Sequence, residues 1–296
     1  MPEQGNRAYL LMLAGALAFA TMGALSHAAG ERCDWRLVAV ARTSVAFVLS
    51  AAFALATGVR LVVFGPRVLW MRSLAGSLGV LCAFYALTHL PISTALTLSN
   101  TVPVWVTLLA WPVLGQRPAL SVWLAIAVGV AGVAVIQKPE MAGDKLAGLL
   151  ALGNAVATAV AVIGLNRLGG VDARAVVTHF SGVSTVFAVA FLLLSGADVQ
   201  YSPLADGVTL ALLVGVGLAG TLGQLAMTKA FALGSPSKVS VVGLTQIVFA
   251  LLFDLVLWRR PFDVLTLAGI VLVAAPSGWL MLHNPLRRAT PIHTTN

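Results

Sequence analysis

Residues 108–118 read LLAWPVLGQRP and residues 251–261 read LLFDLVLWRRP, so one pattern occurs twice in the chain. Both segments follow an apolar stretch, end in Arg-Pro and lead into a further apolar stretch that contains glycine. The sequence therefore predicts two similar halves, residues 1–145 and 146–296, the second ending in a short tail. Matching segments upstream keep the same order: Tyr85-Ala86-Leu87 and Pro91-Ile92-Ser93 correspond to Lys229-Ala230-Phe231 and Ser235-Pro236-Ser237.

The composition excludes a soluble domain. Of the 296 residues, 59% are hydrophobic and 9% charged, whereas soluble domains carry about 25% charged residues. About 20 apolar residues cross the hydrocarbon core of a bilayer as a helix, and stretches of this kind follow one another along the chain. They are continuously apolar rather than alternating, which excludes a membrane β-barrel. We expect an all-α integral membrane protein embedded in a lipid bilayer.

Charged residues separate the apolar stretches and so give the number of helices. The third stretch is about twice the length of one span, and His89-Leu90-Pro91 divides it because the residue before proline is pushed out of the helical region. This predicts ten transmembrane helices, five in each half. Since five is odd, the halves must be inverted repeats, a design typical of secondary transporters. The uncharged stretches are 8–30, 43–59, 73–116, 119–137, 146–166, 175–197, 207–228, 239–253 and 264–286.

Basic residues predict the orientation. With a cytoplasmic N-terminus, eleven Lys and Arg residues lie at inner loops and helix ends and six at outer ones, as the positive-inside rule requires. Both termini are then cytoplasmic, in the cell inner (cytoplasmic) membrane. The net charge of +8 is scattered rather than gathered on one face, which argues against nucleic acid as a partner. The inner set is Arg7, Arg60, Arg67, Arg72, Arg117, Arg167, Arg174, Lys229, Lys238, Arg287 and Arg288; the outer set is Arg32, Arg36, Lys138, Lys145, Arg259 and Arg260.

The pattern resembles the drug/metabolite transporter superfamily, specifically its EamA-type members with a duplicated five-helix unit, over about residues 8–283. Two departures concern the glutamate that usually precedes each Arg-Pro, where this chain has Gln116 and Arg259, so any role of those glutamates does not transfer. Gln246 also stands opposite Pro103. The segments that carry the resemblance are Ala86-Leu87 to Pro91, Pro103, Gly115-Gln116-Arg117-Pro118, Thr228-Lys229-Ala230-Phe231, Gly234-Ser235-Pro236-Ser237 and Arg260-Pro261.

Neutral polar and aromatic residues at membrane depth are candidates for a solute site, because a polar group there is costly unless it is partnered or faces water. Hydrogen bonding between helices is the alternative role for each of them. The resemblance places their helices around a central cavity. The predicted substrate-binding residues are Phe19, Thr21, Tyr85, Asn100, Thr101, Trp105, Asn154, Thr158, Gln224, Thr245 and Gln246.

Four ionisable residues lie inside or near the ends of the predicted helices, and intramembrane charges are functional candidates. Arg42 and His179 occupy similar depths in the two halves, Lys229 closes helix eight, and Asp254 precedes the end of helix nine by one turn. We predict coupling or gating roles for them, with snorkelling to the interface as the alternative for Arg42 and Lys229.

Small residues recur at every fourth position in the third helix of each half, where they let helix backbones approach closely. Tight packing alone explains such a seam, and a seam along which two bundles slide is the functional alternative. The residues are Ala75, Gly79 and Ala83, and Gly215, Ala219 and Gly223.

No catalytic, metal or cofactor motif is present in the sequence. The resemblance implies a secondary transporter, in the exporting direction, for small organic metabolites such as amino acids, amines, related polar compounds or a metal-chelating metabolite. A membrane enzyme and a structural membrane subunit without transport activity are the competing interpretations. The sequence leaves open the choice between monomer and homodimer.

Overall fold

The computed structural model describes residues 3–90, 92–138, 144–196, 199–259 and 263–283. Within these ranges the chain forms α-helices and one short 3-10 helix, Ser202–Ala205. The α-helices are α1 Glu3–Gly30, α2 Trp35–Ala56, α3 Arg67–His89, α4 Ile92–Ser99, α5 Val102–Leu114, α6 Leu120–Gln137, α7 Lys145–Arg167, α8 Ala173–Leu194, α9 Gly207–Leu233, α10 Pro236–Gly243, α11 Thr245–Trp258 and α12 Val264–His283.

These helices form ten membrane-crossing segments, as predicted. Nine of the described segments are long and apolar enough to cross a bilayer, and α3, with 23 residues, has the length for the tenth. The fourth span consists of α4 and α5, and the ninth of α10 and α11. Both spans are interrupted, which the sequence analysis did not predict.

Four of the helices begin after an aspartate that caps the first turn. Asp34, Asp144, Asp172 and Asp206 each accept a hydrogen bond from a backbone N–H in the first turn, as N-capping residues do. The second span is longer than the uncharged stretch 43–59, because α2 begins at Trp35 and includes two arginines. Long basic side chains can reach the interface from within a helix, so their charge does not end it.

The two halves are inverted relative to each other. Arg167 at the end of α7 donates to the Val113 carbonyl oxygen at the end of α5, and Arg174 at the start of α8 donates to Thr57 after α2. We call this end of the bundle the Arg7 face, since α1 begins there. At the opposite end, the Arg32 face, Arg32 pairs with Asp206. Because α1 starts at the Arg7 face and α7 ends there, corresponding helices run in opposite directions.

Each of the main helix contacts joins a helix of the first half to a helix of the second half. In the described residues the most extensive contacts are α1 with α9, α3 with α7, α2 with α8, and α6 with α12. Exchanging the first and second halves turns the α1–α9 pair into the α7–α3 pair, and maps the other two pairs onto themselves. The third helix of each half therefore packs against the first helix of the other half, so the centre of the molecule lies between the repeats.

Part of the repeat pattern lies outside the described residues, namely Pro91, Arg260, Pro261 and the basic pair Arg287–Arg288.

Candidate functional site

The interruptions of the fourth and ninth spans bring four predicted site residues to corresponding places in the two halves. Asn100 and Thr101 form the break between α4 and α5, while Thr245 and Gln246 begin α11 directly after the break at Leu244. Discontinuous helices in matching positions of inverted halves are the feature by which transporter sites are recognised, because free backbone groups there can contact solute or ions.

Local hydrogen bonds occupy most donors at these breaks. The Asn100 amide donates to the Leu96 carbonyl oxygen (2.8 Å), and the hydroxyls of Thr101 and Thr245 donate to the carbonyl oxygens of Leu98 and Val242 (2.6 and 2.7 Å). Trp105 donates its indole N–H to Thr101 Oγ1 over 3.3 Å. The Gln246 side chain is exposed. These side chains therefore stabilise the breaks, which leaves the ring of Trp105 and the amide of Gln246 as the groups best placed to meet a solute.

Two further groups of predicted residues lie at the seams between the halves. Phe19 on α1 covers Gly223 on α9, so closely that a Cβ added at Gly223 would lie 2.9 Å from the Phe19 ring. On the other seam, a Cβ at Gly79 would lie 3.1 Å from Asn154 Oδ1 and 3.5 Å from Thr158 Oγ1. The four-residue spacing predicted close approach of helices, and at Gly79 and Gly223 the side chains that pack into the resulting contact between the repeats are predicted site residues.

The remaining neutral candidates lie elsewhere. Thr21 donates to the Leu17 carbonyl oxygen (3.0 Å), and Tyr85 packs beside a buried cluster containing Ala86, Leu90 and Ala147. Gln224, 6% exposed, is buried in α9, and its Nε2 has no hydrogen-bond partner in the described structure. Leaving a buried amide unpartnered costs free energy, which makes Gln224 the strongest candidate for solute binding among the predicted polar residues.

His179 takes part in a polar contact between α3 and α8 that the sequence analysis missed. Its Nδ1 lies 2.8 Å from Ser73 Oγ, and its ring meets Trp70 edge-on with centroids 4.6 Å apart. Five residues further along α8, Ser184 Oγ lies 3.0 Å from Ser77 Oγ. Ser73 and Ser77 occur four residues apart in an apolar helix, and this spacing could have predicted a polar seam.

Arg72 was assigned by its charge to the basic residues of helix ends, but the structure buries it within α3. It is 2% exposed, and its Nε and Nη1 have no hydrogen-bond partner in the described structure. The guanidinium lies over the Phe180 ring, 3.7 Å from the centroid, where a cation–π interaction offsets part of the desolvation cost. A buried cation held mainly by a ring is a functional candidate that sequence reasoning overlooked.

The other ionisable candidates have distinct surroundings. Arg42 lies against Gly220, where an added Cβ would be 3.7 Å from its Cγ. Phe180 covers Gly76 in the same way, so the contacts make Phe180, rather than the neighbouring His179, the counterpart of Arg42. Asp254 is half-buried in α11. Lys229 is exposed one turn before the end of α9, which corrects the prediction that it closes the helix.

A pocket of about 360 Å³ opens at the Arg7 face between α1, α7, α8 and α9. Its charged lining consists of Arg7, Asp172, Arg174 and Lys229, and Thr228 lies beside them. A hydrogen bond from Arg174 lowers the pKa of the Asp172 carboxyl to about 2, and the charge of Lys229 contributes. Asp172 is thus ionised at neutral pH, and the lining carries two more positive than negative groups.

In the described part of the chain, no three His, Cys, Asp or Glu side chains come together in a way that could hold a metal ion. The Cys33 and Cys82 thiols are free.

Comparisons with known proteins agree with this architecture. The sequence model of the EamA-like transporter family matches residues 6–137 and again residues 145–280. The chain is 28% identical over 269 residues to the pseudopaline exporter CntI of Pseudomonas aeruginosa strain UCBPP-PA14, covering 89% of this chain and 92% of that protein. It is 25% identical to human solute carrier family 35 member G1, with coverage of 71% and 61%.

A solved crystal structure superposes with a TM-score of 0.79 at 19% identity, covering 92% of this chain and 95% of that one, and so shares the fold. Two matches of the family model, one in each inverted half, account for nearly all the membrane-crossing helices. The chain is therefore a multi-pass membrane protein that belongs to the EamA-like transporter family.

Proposed function

We propose that the protein is a secondary transporter that moves a small organic metabolite across the cytoplasmic membrane by alternating access. The observation that carries the proposal is the pair of interrupted spans, with breaks at Asn100–Thr101 and at Leu244, at corresponding places in two inverted halves. Two repeats that meet at such breaks can rock about a site at their interface. Membership of a transporter family supports the same mechanism.

Export is the proposed direction, since the relative that matches over most of both chains is named as an exporter. In the proposed orientation the Arg7 face is cytoplasmic, in agreement with the excess of basic residues on that side. The solutes proposed are amino acids, amines, related polar compounds or a metal-chelating metabolite.

The solute is held, in this proposal, by neutral polar groups and aromatic faces at the breaks and seams. Trp105 offers a flat apolar surface with one polar edge, and Gln246 an amide beside the second break. Such groups bind a zwitterionic or planar polar solute without leaving an unpaired charge in a low-dielectric medium.

Reconstitution into liposomes tests the proposal directly. Purified protein should move radiolabelled members of a panel of amino acids, amines and metal-chelating metabolites across the membrane, with saturation and with acceleration by unlabelled solute on the opposite side. If no panel member is transported and the protein instead converts a lipid substrate, the interpretation as a membrane enzyme is correct. If neither activity is present, but a partner protein co-purifies and needs this chain for its own activity, the interpretation as a structural subunit is correct.

A further inference from the structure

In the described part of the structure, two of the three cations that line the pocket at the Arg7 face form no ion pair. Arg174 is engaged, because its Nε and Nη2 donate to the Asp172 carboxylate (2.9 and 2.7 Å) and its Nη1 to Thr57 Oγ1 (2.6 Å). Arg7 and Lys229 have no acidic group within 4.0 Å among the described side chains. Their charges therefore add to a pocket whose single carboxylate is already neutralised.

A line of unsatisfied hydrogen-bonding groups continues from the pocket into the helix bundle. Thr228, 3% exposed, lines the pocket, and its Oγ1 has no hydrogen-bond partner in the described structure. Gln224 lies four residues earlier on α9, on the same helix face, and its Nε2 is likewise unpartnered. Buried polar groups are normally hydrogen-bonded, so two unpartnered groups in succession indicate a ligand that binds there and dissociates again.

The positive-inside rule explains exposed cations at this face, but it does not explain the buried, unpartnered groups of Thr228, next to Lys229, and of Gln224, one turn further from this face. The repeat does not explain them either. In the alignment that sets Tyr85 opposite Lys229, the first-half residues facing Thr228 and Lys229 are Phe84 and Tyr85. The polar line is therefore a property of the Arg7 face alone, as expected for a site that serves one direction of transport.

The size and walls of the pocket restrict the ligand. About 360 Å³ lies within the range of small-molecule sites. Leu11, Leu165 and Val176 provide apolar walls, so a ligand with a short carbon skeleton fits better than a bare inorganic ion. Two cations and two neutral donors are complementary to anionic oxygens.

The geometry points to a binding site for a small organic carboxylate in this pocket, from which Thr228 and Gln224 lead the carboxylate toward the centre of the transporter. This inference rests on the transport function proposed above and narrows its substrate class to solutes that carry a carboxylate. Anionic oxygens could also come from a lipid phosphate, and the experiment separates the two sources.

Calorimetry on the protein in phosphatidylcholine nanodiscs tests the site, with glutamate and succinate as probes and succinamide, in which amides replace both carboxylates, as the uncharged analogue of succinate. Glutamate and succinate should bind, and succinamide should bind more weakly. Arg7→Gln and Lys229→Gln should each weaken succinate binding about tenfold, as expected for loss of one charge-assisted hydrogen bond. Thr228→Val should weaken binding and Thr228→Ser restore it.

Arg60→Gln is the matched control, since Arg60 is an exposed cation between α2 and α3 outside the pocket lining. Equal binding of succinamide and succinate, or equal loss in Arg60→Gln and Lys229→Gln, would overturn the assignment. Discs with phosphatidylglycerol separate the sources: a solute site keeps its succinate affinity, whereas competition by the lipid would assign the pocket to a headgroup and overturn the inference.

The liposome assay distinguishes failure of the site from failure of the function. Transport of panel solutes without any carboxylate binding would overturn this inference and leave transport standing. Carboxylate binding that Lys229→Gln weakens, together with no transport of any solute, would support the site and refute the proposed function.

Discussion

At the scale of single residues, Arg72 shows how charge misleads a sequence-based topology. A basic residue five positions into α3 fits the expectation for a helix end, yet its guanidinium is buried over Phe180. Only the three-dimensional contact with another helix shows this, because the sequence of residues 67–76 is equally compatible with an arginine that snorkels to the interface. The contact of His179 is likewise not evident from the sequence, because its partner Ser73 is 106 residues away.

Arg72→Met is expected to leave the melting temperature unchanged or raise it while reducing transport. Removing a buried charge in favour of an apolar side chain is often neutral or stabilising, and Met can keep a sulfur contact with the Phe180 ring. If the unpartnered nitrogens serve transport, the rate should fall about tenfold or more, as for loss of a charged interaction of about 1.5–3 kcal/mol. Arg60→Met is the control. A lower melting temperature with normal transport per folded protein would make Arg72 purely structural.

A second residue-scale prediction separates neutral from charged candidates. Trp105→Ala and Gln246→Ala should weaken solute binding by about 1–3 kcal/mol where a buried partner is left unsatisfied, whereas Asp254→Asn and Arg42→Gln should spare it. Calorimetry at matched folding decides this, with the solute that the liposome panel identifies. Loss of binding in both charge variants and retention in both neutral ones would move the deep site away from the helix breaks.

At the scale of helices, their number and the duplication followed from apolar length and self-similarity, whereas the breaks did not. The uncharged stretches 119–137 and 146–166 match α6 and α7 to within one residue, but α2 and α9 extend past charged residues. Aspartate caps mark further helix starts, and two of them belong to a repeated Asp-x-Arg motif, Asp34-Trp35-Arg36 and Asp172-Ala173-Arg174. Pro103 signalled the first break, because proline is favoured in the first turn of a helix. The break at Leu244 has no comparable signal beyond the adjacent Gly243. For the glycines, the sequence predicted the four-residue spacing of small residues but not which side chains pack against them.

Gly223→Ala should impair folding or transport, although Ala is the better helix former. Its Cβ would lie 2.9 Å from Phe19, and such overpacking costs about 1–3 kcal/mol. Gly79→Ala should be milder, since its closest contact is 3.1 Å, and Leu at either position should be worse than Ala. Gly153→Ala in α7 is the control, with open space around it, and should be neutral or stabilising. Thermal unfolding and transport measured together check the order; equal effects at 223 and 153 would remove the seam from the mechanism.

At the scale of the whole molecule, the orientation is testable independently of any substrate. Without the buried Arg72, ten basic residues still favour the Arg7 face over six, so the positive-inside rule keeps its direction. Reporter fusions at Asn6, Arg117 and Asp172 should be cytoplasmic and those at Asp34 and Asp206 external. Arg117 and Asp34 on the same side would contradict the inverted repeat itself, while a complete reversal would contradict only the orientation.

Hydrogen bonds at the Arg7 face hold the α9–α10 junction to α7 and join the two halves. Within the second half, Asn166 near the end of α7 donates to the carbonyl oxygens of Phe231 and Gly234 (2.9 and 3.1 Å). Between the halves, Arg167 donates to the Val113 carbonyl oxygen. Gln116, where the resemblance leads one to expect glutamate, accepts a hydrogen bond from Ser235 (3.3 Å). These contacts join α5, α7 and the α9–α10 junction beside the basic pocket.

Asn166→Ala should therefore loosen the α9–α10 junction, from which Ser235 donates to Gln116 of the first half, and so favour opening of the Arg7 face. Each hydrogen bond contributes about 1 kcal/mol, so losing one or two raises the opening constant about five- to thirtyfold. Hydrogen exchange of the backbone amides at residues 231–234 should accelerate accordingly, and that of the α6 amides should not. Asn6→Ala, an exposed substitution at the same face, is the control. Acceleration in α6 as well would mean general destabilisation, and unchanged exchange at residues 231–234 would show that these bonds do not hold the face closed, because a tie that limits opening must change the opening rate or population when it is removed.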